Sequence, residues 1–383
     1  MKTIAILGST GSVGTQTLDV VDRGQGWTVR GLTANSNISL LEEQIRKYKP
    51  EQAAVADPAF YHKLKTAVRD TNTKILSGPE GVCQVASMEG TDRVVSALVG
   101  IAGLMPTLAA IEAGNHVALA NKETLVTAGE IVMKRAKEKK VQILPVDSEH
   151  SAVFQCLQGA NHPVKRIILT ASGGPFLGKT KKELEGITPD QALCHPNWKM
   201  GNKVTIDSAT MMNKGLEIIE AKWLFGVRPD QVDAVVHRQS VVHSMVEFTD
   251  GALLAQMGEA DMRLPISYAL YYPKREILDE QPFDFISHSC LTFEQPDEET
   301  FGCLRLAKQA LKMGGTMPAC LNGANESAVS LFLQKKIGFL EIPEMIEETM
   351  ARHQVRQDYT LEDILKTDQV AKETLRSLAE HRR

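Results

Sequence analysis

No two of the six cysteines, at 83, 156, 194, 290, 303 and 320, form a Cys-x-x-Cys pair. That scatter speaks against a cysteine-based zinc site and against a disulfide framework, and makes a reducing, cytoplasmic compartment the expectation. No Lys/Arg run stands out and the formal net charge is −4, so the electrostatic footprint of a nucleic-acid binder is missing. No apolar run approaches a membrane span, and the apolar run at the N-terminus reaches glycine after four residues, so neither a transmembrane helix nor an export signal is expected. Internal repeats and low-complexity tracts are absent as well. What is left is an ordinary globular composition, 43% hydrophobic and 23% charged over 383 residues, long enough for two or three domains.

In the first third of the chain, short apolar runs alternate with helix-periodic segments. The pattern predicts strands at Thr3–Leu7, Thr28–Thr33, Ala53–Ala56, Lys74–Leu76, Arg93–Leu98, Val117–Ala120 and Gln142–Val146. Helices are predicted between them at Ser39–Tyr48, Pro58–Arg69, Leu104–Ala113 and Thr124–Lys139. Strands alternating with helices imply βαβ units and a mostly parallel sheet covered on both faces. The middle third differs: the runs VKRIILTAS, VDAVVHRQSVVHSMVEF and GALLAQMG read as sheet, with helical patterns at Ser208–Phe225 and Met262–Tyr271. Tyr272–Thr300 is irregular, and four helical patterns follow at Gly302–Met313, Pro318–Lys335, Pro343–Met350 and Leu361–Arg382. The expected fold class is therefore α/β, with a Rossmann-like domain over 1–146, a central α+β catalytic domain over 147–271, a connection over 272–300 and a C-terminal helical bundle over 301–383.

The chemistry-bearing residues cluster where these elements end. AILGSTGSVG puts Gly8, Gly11 and Gly14 directly after the first strand and opens a helix near Ser12, the context in which a helix N-terminus meets a pyrophosphate. The second strand runs into Asn35, Ser36 and Asn37 with no acid between Thr28 and Leu41, which favours NADPH over NADH, since those side chains donate hydrogen bonds to a 2′-phosphate. Arg30 is the nearest cation. Asn121, Lys122 and Glu123 follow the strand near Val117, either as an ordinary helix start or as groups facing a substrate at the sheet's carboxyl edge.

LPVDSEHSA ends an apolar strand in Asp147 and Glu149. If strand geometry continues through them, both carboxylates share a face and call for a cation between them; if the strand has stopped, they cap and charge the next helix. Further on, ILTASGGPF ends a strand in Ser172, and the stretch from His195 to Glu217 gathers Ser208, Asn213, Lys214 and Glu217, with Asn213 and Glu217 four apart on one helical face. Hydroxyl, amide, imidazole and ammonium groups together suit a phosphate monoester, and Glu217 offers a third carboxylate to a metal. Trp198 and Met200, between Pro196 and Gly201, read as an apolar tip on a loop that closes over a ligand, or as a core anchor. His150, Cys156 and Cys194 read as structural.

The motifs GSTGSVG, ANKE, DSEHSA, TASGGPF, HPNWKMG and DSATMMNKGLE, in this order, resemble the 1-deoxy-D-xylulose 5-phosphate reductoisomerase family over essentially the whole chain. The resemblance implies an NADPH- and divalent-metal-dependent enzyme of the non-mevalonate isoprenoid pathway, a homodimer that makes 2-C-methyl-D-erythritol 4-phosphate. By motif, the metal ligands become Asp147, Glu149 and Glu217. Substrate contacts fall to Ser172, His195, Ser208, Asn213 and Lys214, with Lys122 and Ser148 near the hydroxyls. Cofactor contacts fall to Thr10, Gly11, Ser12, Val13, Asn35, Ser36, Asn37, Asn121, Glu123 and Gly201. The family often carries a glycine and a basic residue where this chain has Asn35-Ser36. Oxygen ligands favour Mg2+ or Mn2+ over zinc, with Co2+ a further candidate. The implied chemistry is retro-aldol cleavage and aldol rejoining to an aldehyde, then hydride transfer. Two other readings remain open on sequence: a simple NADP-dependent dehydrogenase of a phosphorylated or semialdehyde substrate, and a catalytically silent dinucleotide sensor.

Overall fold

The computed structural model describes residues 1–160, 162–198, 200–276 and 283–382. The chain packs into two compact units. The first holds Met1–Thr124, Glu130–Ser151 and the described part of Asp261–Pro282; the second holds Leu125–Gly129, Ala152–Ala260 and the described residues from Phe283 onward.

The first unit is built on seven parallel strands: β1 (Lys2–Leu7), β2 (Trp27–Ala34), β3 (Gln52–Val55), β4 (Lys74–Ser77), β5 (Arg93–Ser96), β6 (His116–Leu119) and β7 (Ile143–Pro145), in the order β4-β3-β2-β1-β5-β6-β7. Each lies within two residues of its sequence-predicted limits. Ile4, Ala5, Ile6 and Leu7 are wholly buried, as are Ala53, Ala54 and Val55, because helices on both faces of the sheet leave its inner strands no face to water; the edge strand β4 has no buried residue. Strand order reverses between β1 and β5, so the carboxyl ends of these two strands open the crevice where α/β sheets bind ligands. The fold is doubly wound and Rossmann-like.

The second unit carries a mixed sheet of β8 (Val164–Ala171), β9 (Val232–Val236), β10 (Val242–Phe248) and β11 (Leu253–Met257), in the order β11-β10-β8-β9. β8 and β9 run parallel, while β10 is antiparallel to both β8 and β11. Helices Gly302–Met313, Met317–Leu333, Glu341–Arg352 and Leu361–His381 supply the helical C-terminus. Their inner faces join one apolar core with this sheet: Ile167, Leu169, Ala234 and Val246 cluster with Leu304, Leu306, Leu321, Phe332, Ile346 and Leu375. Among the described residues no helix is long and apolar enough to cross a membrane.

Three expectations change. The single helix predicted at Ser208–Phe225 is two, Asn202–Ala209 and Met212–Phe225, because Thr210 Oγ1 donates back to the Ile206 and Asp207 carbonyls and Met211 turns left-handed at φ 62°. The helix predicted at Pro58–Arg69 begins as a 3-10 turn, Pro58–Phe60, capped by Asp57, and continues as Tyr61–Ala67. A helix at Gly78–Ala86, which no periodic signal announced, starts on a proline in its first turn. In the expected connection, positions 277–282 lie outside the described residues, as does Lys199 within HPNWKMG.

Candidate active site

In the first unit the β1 loop is shaped by close backbone approach. Gly8 sits at φ 84°, and a Cβ on Gly14 would stand 2.2 Å from the Gly8 carbonyl oxygen, so the helix Ser12–Arg23 begins directly against the strand end. Its N-cap is Gly11, with no side-chain cap, so the amides at Ser12 and Val13, next to Thr10, are placed to serve an anion. Gln44, which sequence reasoning missed, secures this loop from the helix Ile38–Tyr48: its Nε2 donates to the Ser9 carbonyl at 2.9 Å and its Oε1 accepts from Ser9 Oγ at 2.6 Å. A lone glutamine in an amphipathic helix carries no local signal of such a contact.

At the end of β2, Asn35, Ser36 and Asn37 are exposed, and Asn37 Oδ1 also caps the helix Ile38–Tyr48 by accepting from Leu40 N. Arg30 is held elsewhere: its guanidinium donates to both Glu51 carboxylate oxygens at 2.6 and 3.0 Å and to the Glu89 carbonyl at 2.8 Å. Asn121 is buried, its Nδ2 donating to the Leu98 and Gly100 carbonyls and to Glu123, while its Oδ1 caps the helix Lys122–Lys139 through Thr124 N. It thereby ties together the loops that follow β5 and β6.

β7 stops at Pro145, and the Asp147 carbonyl accepts from Ser151 N as the helix Ser148–Cys156 begins. The two carboxylates are therefore set by a strand-to-helix turn, not by strand alternation. Asp147 is both the helix-start residue and the partner of Lys122, whose Nζ lies 2.8 Å from Asp147 Oδ2, both side chains being about nine-tenths buried. His150 Nδ1 stands 3.7 Å from the same oxygen. Ser148 Oγ donates to Glu149 at 2.5 Å.

In the second unit, β8 delivers Ser172, whose Oγ lies 3.0 Å from His195 Nε2. The backbone amides of Asn197 and Trp198 both donate to His195 Nδ1, at 3.1 and 2.9 Å. Nδ1 is thus an acceptor, the proton sits on Nε2, and Nε2–H donates to Ser172. Burial pushes the imidazole pKa below its ordinary value, so the ring is neutral in this setting. Asn197, not singled out from sequence, fixes the loop by donating to the Arg238 carbonyl and Ser240 Oγ, both at 2.8 Å. Trp198 is half-buried, its ring 6.2 Å from that of His243, and Met200 and Gly201 lead into the helix Asn202–Ala209.

The helix Met212–Phe225 then presents Asn213, Lys214 and Glu217 as a row. Lys214 is 3% exposed and Glu217 is 0% exposed, and both the Lys214 ammonium and the Asn213 amide bind the Glu217 carboxylate. Ser208 lies just before the break. Gly174, at φ 69°, allows the Ser172 loop onto it: a Cβ there would stand 2.7 Å from the Ser208 carbonyl oxygen. Cys156 is buried and its thiol is pushed up to about 11, whereas Cys194 is exposed and donates to the Asp190 carbonyl at 3.3 Å.

A Rossmann-like sheet with an uncapped helix at its first loop, joined in one chain to a unit that gathers half-buried hydroxyl and amide groups and a buried ammonium, defines a dinucleotide-dependent oxidoreductase acting on an anionic substrate. A family profile described as 1-deoxy-D-xylulose 5-phosphate reductoisomerase matches residues 4–129, and two profiles for that family's C-terminal domains match 143–225 and 257–374. A 1-deoxy-D-xylulose 5-phosphate reductoisomerase of Thermoanaerobacter sp. strain X514 is 54% identical over 98% of both chains. One from Acetivibrio thermocellus is 55% identical over 95% of this chain and 96% of its own. Among solved structures, the Zymomonas mobilis enzyme in complex with NADPH is 43% identical, with a TM-score of 0.91 and 99% coverage of both chains. A reductoisomerase in complex with NADPH, fosmidomycin and magnesium is 40% identical, with a TM-score of 0.93 over 99% of this chain and 98% of its own. The chain belongs to the 1-deoxy-D-xylulose 5-phosphate reductoisomerase family.

Proposed function

We infer that this chain carries out the NADPH- and divalent-metal-dependent rearrangement and reduction of 1-deoxy-D-xylulose 5-phosphate to 2-C-methyl-D-erythritol 4-phosphate, a step of non-mevalonate isoprenoid synthesis. The observation that carries this reading is the full-length match to relatives of that name, some of them solved with NADPH and magnesium.

Asp147, Glu149 and Glu217 are proposed as the metal ligands. The fit lies in the donor set: all three are carboxylates, and two of them, Asp147 and Glu217, each hold a lysine ammonium in a mostly buried setting, so both stand where a positive partner is accommodated. Magnesium suits such oxygens, and manganese fits the same donor set. When bound, the cation supplies Lewis acidity toward the substrate's carbonyl and hydroxyl oxygens, and NADPH supplies the hydride.

The remaining roles belong to this chain's own groups. Ser172, Ser208, Asn213 and Lys214 bind the phosphate, with His195 orienting the Ser172 hydroxyl through its Nε2 proton. Lys122 and Ser148 face the substrate hydroxyls. Closure of the loop that carries Trp198 and Met200 keeps water from the reacting carbons. Thr10, Gly11, Ser12 and Val13 take the pyrophosphate, and Asn35, Ser36 and Asn37 take the 2′-phosphate as neutral donors. Asn121, Glu123 and Gly201 complete the cofactor contacts, Asn121 by holding its loop. By function the chain divides into a cofactor part over 1–146, a catalytic part over 147–271, a connection over 272–300 and a helical part over 301–383. It acts in the cytoplasm as a homodimer; support for the second copy is the edge strand β11, which has no further strand beside it among the described residues and leaves Leu253 and Leu254 52% and 48% exposed.

The test follows NADPH absorbance with 1-deoxy-D-xylulose 5-phosphate after thorough chelation and again after Mg2+ or Mn2+ is restored. Turnover should vanish and return. Full activity in the chelated enzyme would favour a simple dehydrogenase and sink the rearrangement.

A further inference from the structure

Asp207 precedes Ser208 on the helix Asn202–Ala209 and is 1% exposed. Both of its carboxylate oxygens are engaged by the scaffold. Lys203 Nζ stands 2.8 Å from Oδ2 one helical turn back, and Asn325 Nδ2 donates to Oδ1 at 2.8 Å from the helix Met317–Leu333, 118 positions away. Asn325 is wholly buried. A buried carboxylate is retained only where partners of this kind hold it, so the contact fixes the helix Asn202–Ala209 to the C-terminal helices at one point.

That point matters because the backbone just after it is poorly determined by local preference. Thr210 closes the helix and Met211 takes a left-handed φ of 62°, a conformation that a non-glycine residue keeps only where its surroundings impose it. Ser208 lies on one side of this break, and Asn213, Lys214 and Glu217 lie on the other. Whatever holds the break sets the spacing between the hydroxyl and the amide–ammonium row.

We propose that Asp207, fastened by Asn325, is a positioning residue for the phosphate-binding row: it registers Ser208 against Asn213 and Lys214, and makes the C-terminal helix Met317–Leu333 a determinant of substrate phosphate affinity. The inference rests on the reading that this row binds the substrate phosphate. Asp207 itself does not touch the substrate.

Asn325→Leu removes the donor at similar volume and without changing charge. With 1-deoxy-D-xylulose 5-phosphate as substrate, the KM should rise at least tenfold and the inhibition constant of inorganic phosphate should rise by a similar factor. The kcat should stay within threefold and the NADPH dissociation constant, read by fluorescence, within twofold. A merely structural role would instead lower the active fraction, and so kcat, with KM and the phosphate constant unmoved. Asn325→Ser, smaller and still polar, serves as the second variant and should show the same split in lesser degree. Unmoved KM and phosphate constants in a folded variant would overturn the proposal, and so would failure of both variants to fold, which would make the pair a folding determinant. If the parent enzyme does not turn over this substrate at all, the functional reading has failed instead.

Discussion

Both units bury a carboxylate beside a lysine, yet they assemble the pair in opposite ways. In the first unit, Lys122 and Asp147 follow neighbouring parallel strands, β6 and β7, and meet because the ladder Val117–Ile143, Ala118–Leu144, Leu119–Pro145 sets them side by side. In the second, Lys214 and Glu217 lie three apart on one helix and meet through helical periodicity alone. The first pair depends on tertiary register, whereas the second needs only a helix buried on that face. The second is also drier, with side chains 4% and 0% exposed against 10% and 12%. Removing one of its partners leaves a more thoroughly desolvated charge, at a cost of about 3–5 kcal/mol.

The largest effect expected from this contrast is at Glu217. Glu217→Gln keeps the shape and an acceptor for Asn213 but removes the charge, and metal-dependent turnover should fall by about a thousandfold or more. NADPH affinity, read by fluorescence titration, should stay within twofold. Near-normal turnover would remove Glu217 from the metal site and break the parallel between the two pairs. Next comes Lys214→Ala, which should raise the KM for the phosphorylated substrate about tenfold through loss of a charge-assisted hydrogen bond. An unchanged KM in steady-state kinetics would mean that Lys214 serves only to neutralise Glu217.

A smaller effect concerns pH. Burial holds the His195 pKa below its ordinary 6.5, so in acid the unfolded chain takes up a proton there before the folded chain does. The stability tied to neutral His195 is present above pH 6.5 and is lost as pH falls through the lower, folded value. Thermal melts should show Tm dropping between pH 7.5 and about 5.5, less steeply in His195→Gln. His116 and His353 are shifted down by burial as well, so the slope should shrink without vanishing. An identical slope in parent and variant would refute a buried neutral imidazole.

The smallest expected change tests the cofactor loop of the first unit. Asn37→Ala removes the cap on the helix Ile38–Tyr48, worth about 1 kcal/mol and a Tm shift of about 2–4 °C. A melt that does not move would show that the cap contributes nothing to the stability of the β2 loop.

How much of this was legible in sequence depended on how local each cause is. The parallel sheet could be read because its inner strands are buried on both faces and alternate with helical segments, even though the edge strand β4 has no buried residue. The row Asn213, Lys214 and Glu217 could be read because spacings of three and four on a helix are visible in the string. The break at Met211 could not, since Met-Met-Asn-Lys is good helical sequence and the kink is imposed by Thr210 and by packing. Arg30, the nearest cation to a 2′-phosphate in the string, is held instead by Glu51, the residue just before the adjacent strand β3.

By itself, then, the sequence determined the seven parallel strands and most of the helices, the doubly wound class, the polar clusters at the element ends and the family motifs, all set by short-range periodicity and residue chemistry. Only the tertiary structure decided that Asp147 starts a helix while pairing with Lys122, that His195 is neutral with its proton on Nε2, and that Asp207 is held by Asn325. Each of these depends on groups far apart in the chain, or on burial, and no local pattern of residues encodes which distant partner will arrive.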